Sequence, residues 1–203
     1  MKIPPDFYLQ DNVVQVAKAL LGKTLHTRID GHYCVARITE LEAYSGRNDK
    51  ACHANNGTRT ARTEVMYAQG GKAYVYLCYG VHHLFNVVTN VQDQADAVLI
   101  RAVEPLEGIE TMLSRRKKEK VNKVLSSGPG TLSQALGIDY KRHYGADLLG
   151  DTIWLEDAPD LSAGQMVVSR RIGVDYAEED ALKPWRFYMR DSPWVSKVLP
   201  EDR

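Results

Sequence analysis

Two carboxylates and a tyrosine occupy alternate positions near the end of one strand-like run: Glu40, Glu42 and Tyr44. Successive side chains of a strand point to opposite faces, so these three share a face that is otherwise apolar. A carboxylate buried there without a partner is strongly destabilising. Two explanations remain open, namely a functional site and a strand that has reached solvent by Glu40.

A tyrosine-rich hairpin follows at residues 74–89. Tyr74 and Tyr76 share one strand face, whereas Tyr79 falls out of that phase just before Gly80. A ring at a turn tip cannot be buried in the same layer, so Tyr79 either lies on the surface or projects into a partner. On the second strand, Asn86 stands among aliphatic residues, where backbone groups satisfy the amide or a ligand meets it.

Arg101 interrupts the apolar run at residues 97–103. An arginine cannot lose its charge, so we expect an acidic or phosphate partner inside the protein. Nucleophile-elbow, phosphate-loop and dinucleotide fingerprints are absent from the sequence. A carboxylate beside tyrosines and an arginine suits the stacking of a flat ring and the attack of water on an acetal-like carbon.

The elements that must position these residues are mostly strands. Residues 11–22 have the pattern of a capped amphipathic helix, and Asp30-Gly31 predicts a hairpin between residues 23–29 and 32–41. Further strands are predicted at 152–155, 166–174 and 185–189, and Pro105 is predicted to open a helix. We therefore predict one α+β domain over residues 1–203, with a curved, mainly antiparallel sheet flanked by helices.

Composition sets limits on the class of protein. With 44% hydrophobic and 26% charged residues, the chain resembles an ordinary globular protein, and no apolar run is long enough to span a membrane. The three cysteines lack CxxC spacing, which argues against a structural zinc site. Net charge is zero, but a basic run between Thr111 and Val124 permits a local phosphate-binding face; a solvated helix end explains it equally well.

Several of these motifs occur in order and at fixed separations: residues 40–44, His53, residues 74–80, Asn86, residues 101–108 and residues 127–129. In this arrangement the chain resembles the alkyladenine (3-methyladenine) DNA glycosylase family from about Asp6 to Trp194. The resemblance implies a monofunctional enzyme that flips a damaged purine out of double-stranded DNA and hydrolyses its N-glycosidic bond without metal or cofactor. Substrates of the family are 3-methyladenine, 7-methylguanine, hypoxanthine and ethenoadenine.

The resemblance also implies roles for particular residues. Glu42 corresponds to the general base that deprotonates water, and Arg101 positions that water and the neighbouring sugar-phosphate. The base pocket is implied at four positions: Tyr44, His53, Tyr76 and Asn86. Tyr44 and Tyr76 would sandwich the base, and Asn86 would clash with the 2-amino group of normal guanine. The implied DNA contacts are Tyr79 as a minor-groove wedge, His82, Arg59 and Arg62.

Two alternatives come from other classes of protein. A non-catalytic nucleic-acid-binding module would use the tyrosine hairpin as a stacking platform. A glycosidase would use Glu40 and Glu42 as its pair, but carboxylates on one strand face point the same way, whereas a glycosidase pair flanks the bond. For the glycosylase we expect a monomer without membrane contact, in the bacterial cytoplasm, or in the nucleus of a eukaryote.

Overall fold

A computed structural model describes residues 1–202, and Arg203, the last residue of the predicted domain, lies outside the described residues. Eight strands form one open antiparallel sheet. Their bounds are β1 Thr24–Ile29, β2 His32–Tyr44, β3 Ala73–Cys78, β4 His82–Thr89, β5 Asp96–Glu107, β6 Ile153–Glu156, β7 Met166–Ser169 and β8 Arg186–Met189. The main strand order is β3-β4-β5-β2-β1-β6, with β8 paired to β2 and β7 to β8. The predicted α+β class is confirmed.

Strand β2 is the centre of the sheet. Along one edge it pairs with β5, and along the other it pairs first with β1 and then, from Glu40 to Glu42, with β8. The register between β2 and β5 shifts on both sides of Glu40, and such bulges bend a strand. Glu40 and Glu42 therefore lie in the interior of a bent sheet with a strand on each side.

The helices pack mainly against one face of this sheet. They are α1 Val13–Leu20, α2 Ile109–Arg116, α3 Pro129–Leu136 and the single turn α4 Tyr140–His143. The helix predicted at 11–22 is confirmed, with Asn12 as its cap because the Asn12 side chain accepts the N–H groups of Val14 and Gln15. Apolar residues of α1, α2 and α3 join the inner side chains of the sheet in the main core.

The long segment 45–71 forms a second, smaller core. It contains two 3-10 turns, Asn55–Gly57 and Glu64–Tyr67. Buried residues of the segment, among them Cys52 and Met66, pack against Tyr74 and Val88 on the face of β3 and β4 that is turned away from the main core. This packing holds the His53 ring beside Tyr74 and Tyr76 of the tyrosine hairpin.

Both predicted hairpins are confirmed, while two other predictions were wrong. Asp30 and Gly31 have φ of 56° and 77°, as a type I′ turn requires. Pro105 does not open a helix: it pairs with Ala36 inside β5, and the chain leaves the strand only at Gly108, whose φ is 73°. The strand predicted at 166–174 ends at Ser169, and residues 172–174 line a cavity.

Two features are absent from residues 1–202. None of their helices has the length and apolarity to cross a membrane. No cluster of three or more histidine, cysteine, aspartate or glutamate side chains in this part of the chain is arranged to hold a metal ion.

Candidate active site

A cavity of about 270 Å³ opens between the tyrosine hairpin, the segment 51–53 and the segment 172–176. Six of the residues singled out in the sequence line it: Tyr44, His53, Tyr76, Tyr79, Asn86 and Arg101. They come from β2, β3, β4, β5, the β3–β4 turn and the segment 45–71. The sheet thus brings together side chains that are far apart along the chain.

Glu42 lies directly behind the cavity wall, with its side chain fully buried. The Tyr44 hydroxyl donates to Glu42 Oε2 at 2.7 Å, Arg101 Nη1 donates to the same oxygen at 3.2 Å, and the Ile172 N–H donates to Oε1 at 2.8 Å. All three donor residues line the cavity. A strand that has reached solvent is therefore excluded. Each carboxylate oxygen has two lone pairs, so Oε1, with one donor among residues 1–202, keeps the capacity to accept a second hydrogen bond.

Arg101 connects the two carboxylates of the strand. Its Nε donates to Glu40 Oε1 at 3.1 Å while Nη1 reaches Glu42, which supplies the acidic partners that a buried guanidinium needs. Glu40 also accepts from Arg186 Nε at 2.8 Å and from the backbone and hydroxyl of Ser196. Glu40 is thus occupied on both oxygens and anchors Arg101. Because both carboxylates contact one guanidinium, the geometry disfavours the glycosidase alternative.

The Tyr44 ring is supported from behind by a second arginine. The guanidinium carbon of Arg171 lies 4.8 Å from the ring centroid, and Arg171 does not line the cavity. Burial, and next the charge of Glu42, raise the pKa of Tyr44 well above its usual value. The Tyr44 hydroxyl therefore remains protonated and donates its hydrogen to the Glu42 carboxylate.

His53 is held as a neutral ring beside Tyr76. The two ring centroids are 4.8 Å apart with an interplanar angle of 78°. Burial, followed by the charge of Arg62, lowers the pKa of His53 to about 4. Arg62 Nη2 lies 3.2 Å from His53 Nε2 and can only donate, so Nδ1 carries the proton and donates to the Tyr74 hydroxyl at 2.8 Å. The Arg62 guanidinium also stacks on Tyr76, 4.7 Å from its centroid.

Asn86 is both satisfied by the backbone and part of the cavity wall. Its Nδ2 donates to the Tyr74 carbonyl at 3.0 Å and to the Leu84 carbonyl at 3.4 Å. The side chain is 4% exposed and lines the cavity. The alternative in which backbone groups satisfy the amide is confirmed, and the two bonds fix the amide in the cavity wall.

Tyr79 stands at the tip of the hairpin with 93% of its surface exposed. Tyr79 and Gly80 have φ of 51° and 73°, and the Val81 N–H closes the turn on the Cys78 carbonyl at 3.2 Å. A bulky residue in the left-handed region is strained by about 1–3 kcal/mol, and such strain clusters at functional sites. The turn therefore holds the Tyr79 ring out of the protein, as its phase in the sequence predicts.

The three remaining predicted DNA contacts lie outside the cavity. His82 is exposed and touches Gly130 at the start of α3. Arg62 is exposed on the far side of Tyr76. Arg59 forms ion pairs with Glu64 at 2.7 Å and with Asp93 at 2.9 Å, so its charge is largely neutralised within the protein.

Two supporting residues were missed because residues 170–174 were predicted to be a strand. Arg171 is fully buried and pairs with both oxygens of Asp49, at 2.5 Å and 2.7 Å, which fixes it behind Tyr44. Its neighbour Ile172 supplies the N–H that binds Glu42. A signal was available, since Arg170 and Arg171 interrupt an apolar run just as Arg101 does.

Known proteins are similar to this chain over nearly its whole length. The family model described as "Methylpurine-DNA glycosylase" matches residues 6–193. The chain belongs to the methylpurine-DNA glycosylase family. Similar proteins carry the name "Putative 3-methyladenine DNA glycosylase": one from Natranaerobius thermophilus is 48% identical over 97% of this chain and 99% of its own length. Another from Methanocella arvoryzae is 48% identical over 98% of each chain, and one from Clostridium tetani is 45% identical over 97% of this chain and 100% of its own.

Membership of the methylpurine-DNA glycosylase family confirms the resemblance predicted from the sequence motifs. It also confirms the predicted enzyme class, a hydrolase of N-glycosyl bonds of the DNA-3-methyladenine glycosylase type. DNA is the substrate that this family implies. The residues matched, 6–193, include every position that lines the cavity.

Proposed function

We propose that the protein excises alkylated or deaminated purines from double-stranded DNA as a monofunctional glycosylase, with Glu42 as the general base. One observation carries the proposal: a fully buried carboxylate is held by three donors, and the residues that provide those donors all line an aromatic cavity. A buried carboxylate costs free energy, and its maintenance beside an aromatic cavity supports a functional role for Glu42.

In the proposed reaction, water held by Glu42 Oε1 attacks C1′ of the extruded nucleotide. The carboxylate takes the proton of the water, the C1′–N bond breaks, and its electrons leave with the purine. A well-placed general base contributes about 10²–10⁴-fold to such a step. Arg101 keeps the carboxylate aimed, because its Nη1 binds Glu42 while Glu40 holds its Nε. Water is the nucleophile, so the product is an intact strand with an abasic site.

The extruded purine is proposed to stack between Tyr44 and Tyr76. Arg171 and Arg62 lie over these rings but do not line the cavity, so the ring faces turned towards the cavity remain free for a base. Stacking contributes roughly 1–3 kcal/mol per base and accepts charged and neutral purines alike. Neutral His53 closes the edge of this slot without adding charge.

Discrimination against normal guanine is assigned to Asn86. Two backbone carbonyls hold its amide, so the side chain cannot swing aside to admit a 2-amino group. Purines without that group, such as 3-methyladenine, hypoxanthine and ethenoadenine, would avoid the clash. For 7-methylguanine, which keeps the 2-amino group, we propose that its weakened glycosidic bond compensates.

Entry into the duplex is assigned to Tyr79. Extruding a nucleotide costs a few kcal/mol, least where pairing is already damaged. An aromatic ring pushed into the gap restores part of the lost stacking. His82 and Arg62 are proposed to contact DNA near this wedge; Arg59 would have to exchange its partners Glu64 and Asp93 for phosphates.

The test is an end-labelled duplex with one hypoxanthine or ethenoadenine, incubated with the protein in a metal chelator. We expect an intact strand after the reaction and cleavage at the lesion once hot alkali is added, because an abasic site is alkali-labile. A strand cut without alkali would contradict a monofunctional enzyme. Binding of the duplex without any alkali-labile product, for each predicted lesion, would instead support a non-catalytic binding module.

A further inference from the structure

The basic run that begins in the last turn of α2 and continues beyond it contains two kinds of cation. Its arginines are structural: Arg115 Nη2 donates to the Ile29 carbonyl at 2.9 Å, and Arg116 donates to the carbonyls of Leu125 and Val124 at 3.1 Å and 3.2 Å. The run also contains four exposed lysines: Lys117, Lys118, Lys120 and Lys123. We call residues 117–123 the lysine loop.

No lysine of this loop forms an ion pair within residues 1–202, although other lysines do. Carboxylates of this described part pair with Lys2, Lys23, Lys50, Lys72 and Lys183. The one acid of the lysine loop, Glu119, is exposed and has no ion pair there either. On a protein with zero net charge, the lysine loop is therefore a local excess of uncompensated positive charge.

The lysine loop lies one helix away from the hairpin tip. Arg116, which precedes the lysine loop, donates to the side chain of Gln134 on α3. Gln134 in turn lines a surface cleft together with Val81 and His82. Gly130 at the start of α3 is so close to His82 that an added Cβ would lie 2.9 Å from its imidazole. Lys123 precedes Gly130 along the chain, and the intervening residues span at most about 25 Å.

We propose that the lysine loop is a second contact with DNA, which binds phosphates of the duplex that flanks the wedge. This proposal rests on the proposed function, because that function places Tyr79 in the duplex. A 25 Å length of duplex presents on the order of 15 phosphate charges, at one per ~1.7 Å. Phosphates of the flanking duplex therefore lie within reach of a lysine loop that is at most about 25 Å from Gly130. The lysine loop then supplies sequence-independent affinity, while the cavity supplies selectivity.

The test measures the affinity for an undamaged duplex at several salt concentrations. The variants are the quadruple K117Q/K118Q/K120Q/K123Q and the double K117Q/K118Q. The control, K18Q/K197Q, removes as many charges as the double variant, and its lysines also lack ion pairs within residues 1–202. Each lost phosphate contact lowers the slope of log K against log salt by about 0.9. We expect a slope smaller by about 3 to 4 for the quadruple variant and by about 2 for the double variant. The control should keep the wild-type slope.

Excision and stability are measured on the same variants. We expect the single-turnover rate on a hypoxanthine duplex at saturating enzyme, and the melting temperature, to remain at wild-type values, because the lysine loop lies outside the cavity. The proposal would be overturned by an unchanged salt slope in the quadruple variant. It would also be overturned by a control whose slope falls as much as that of the double variant, or by a lower excision rate at saturating enzyme. Failure of the proposed function would appear separately, as wild-type protein that excises no lesion whatever its salt slope.

Discussion

Replacing Glu42 by Gln keeps the shape of the side chain but puts an amide nitrogen where a carboxylate oxygen now accepts hydrogen bonds. Oε2 receives the Tyr44 hydroxyl and Arg101 Nη1, and Oε1 receives the Ile172 N–H. A guanidinium and a backbone N–H have no lone pair to offer. Whichever way the amide lies, its NH2 group therefore faces a donor, and one buried group loses its partner.

Two magnitudes follow from this geometry. A buried donor left without an acceptor costs about 1–3 kcal/mol, so we expect the free energy of unfolding to fall by that amount. Losing a general base costs about 10²–10⁴-fold in rate, which is roughly 3–5 kcal/mol of barrier at 1.36 kcal/mol per tenfold. Native domains are stable by about 5–15 kcal/mol, so the variant remains folded at 25 °C. Binding through the stacking rings should persist.

The assay is single-turnover excision on a hypoxanthine duplex at saturating enzyme, with duplex affinity and thermal unfolding measured in parallel. The matched control is Glu104→Gln, which removes a carboxylate from β5 whose one ion pair within residues 1–202 is with Arg37, 3.2 Å away and partly exposed. We expect the control to excise at the wild-type rate, since surface pairs contribute about 0–1 kcal/mol. A folded Glu42→Gln protein that works within tenfold of wild type would refute the role of Glu42 as base.

Three further predictions concern the pocket and the wedge. Tyr79→Ser should slow excision from duplex DNA more than from single strands, where no gap needs filling; equal losses would remove the wedge role. Asn86→Ser should raise release of undamaged guanine relative to hypoxanthine, because the fixed amide is gone, and an unchanged ratio in a product assay would place the discrimination elsewhere. Arg62→Gln should raise the pKa of His53 from about 4 towards its usual 6.5, but not as far, because burial is the larger cause of the low value. A histidine NMR titration measures this pKa, and an unchanged pKa would contradict the contact between Arg62 and His53. The folded protein favours neutral His53, so wild-type stability should fall as the pH drops from 6.5 towards 4, and the variant should lose less over that window.

Much of the site was predictable because strand geometry is local. Alternation along β2 predicted that Glu40, Glu42 and Tyr44 share a face, and both carboxylates are buried. That face is not the apolar one expected: the register shifts beside Glu40, so Leu41 and Ala43 join Ile38 in the main core instead. The tyrosine hairpin predicted at residues 74–89 ends with β4 at Thr89. The tip position of Tyr79 followed from its phase and from the glycine after it.

The prediction at Pro105 failed because a proline that opens a helix and one among the last residues of a strand have the same local pattern. Its ring sets φ near −65°, which suits either structure. Gly108 decided the matter: an added Cβ there would lie 2.3 Å from the Tyr33 carbonyl, so only glycine allows the chain to pass β2 at this point before α2 begins. That close approach is tertiary and leaves no periodic signal.

The sequence by itself determined which residue types carry the chemistry and which strand faces they share, because alternation and turn preference act over a few residues. It also required Arg101 to find an acid, without saying which one. The tertiary structure decided the partners: Arg101 meets Glu40 across 61 positions of the chain, Arg171 meets Asp49 across 122, and the Ile172 N–H meets Glu42 across 130. Such pairings depend on how the whole sheet closes around β2, since a buried charge binds whichever opposite charge the fold brings within reach.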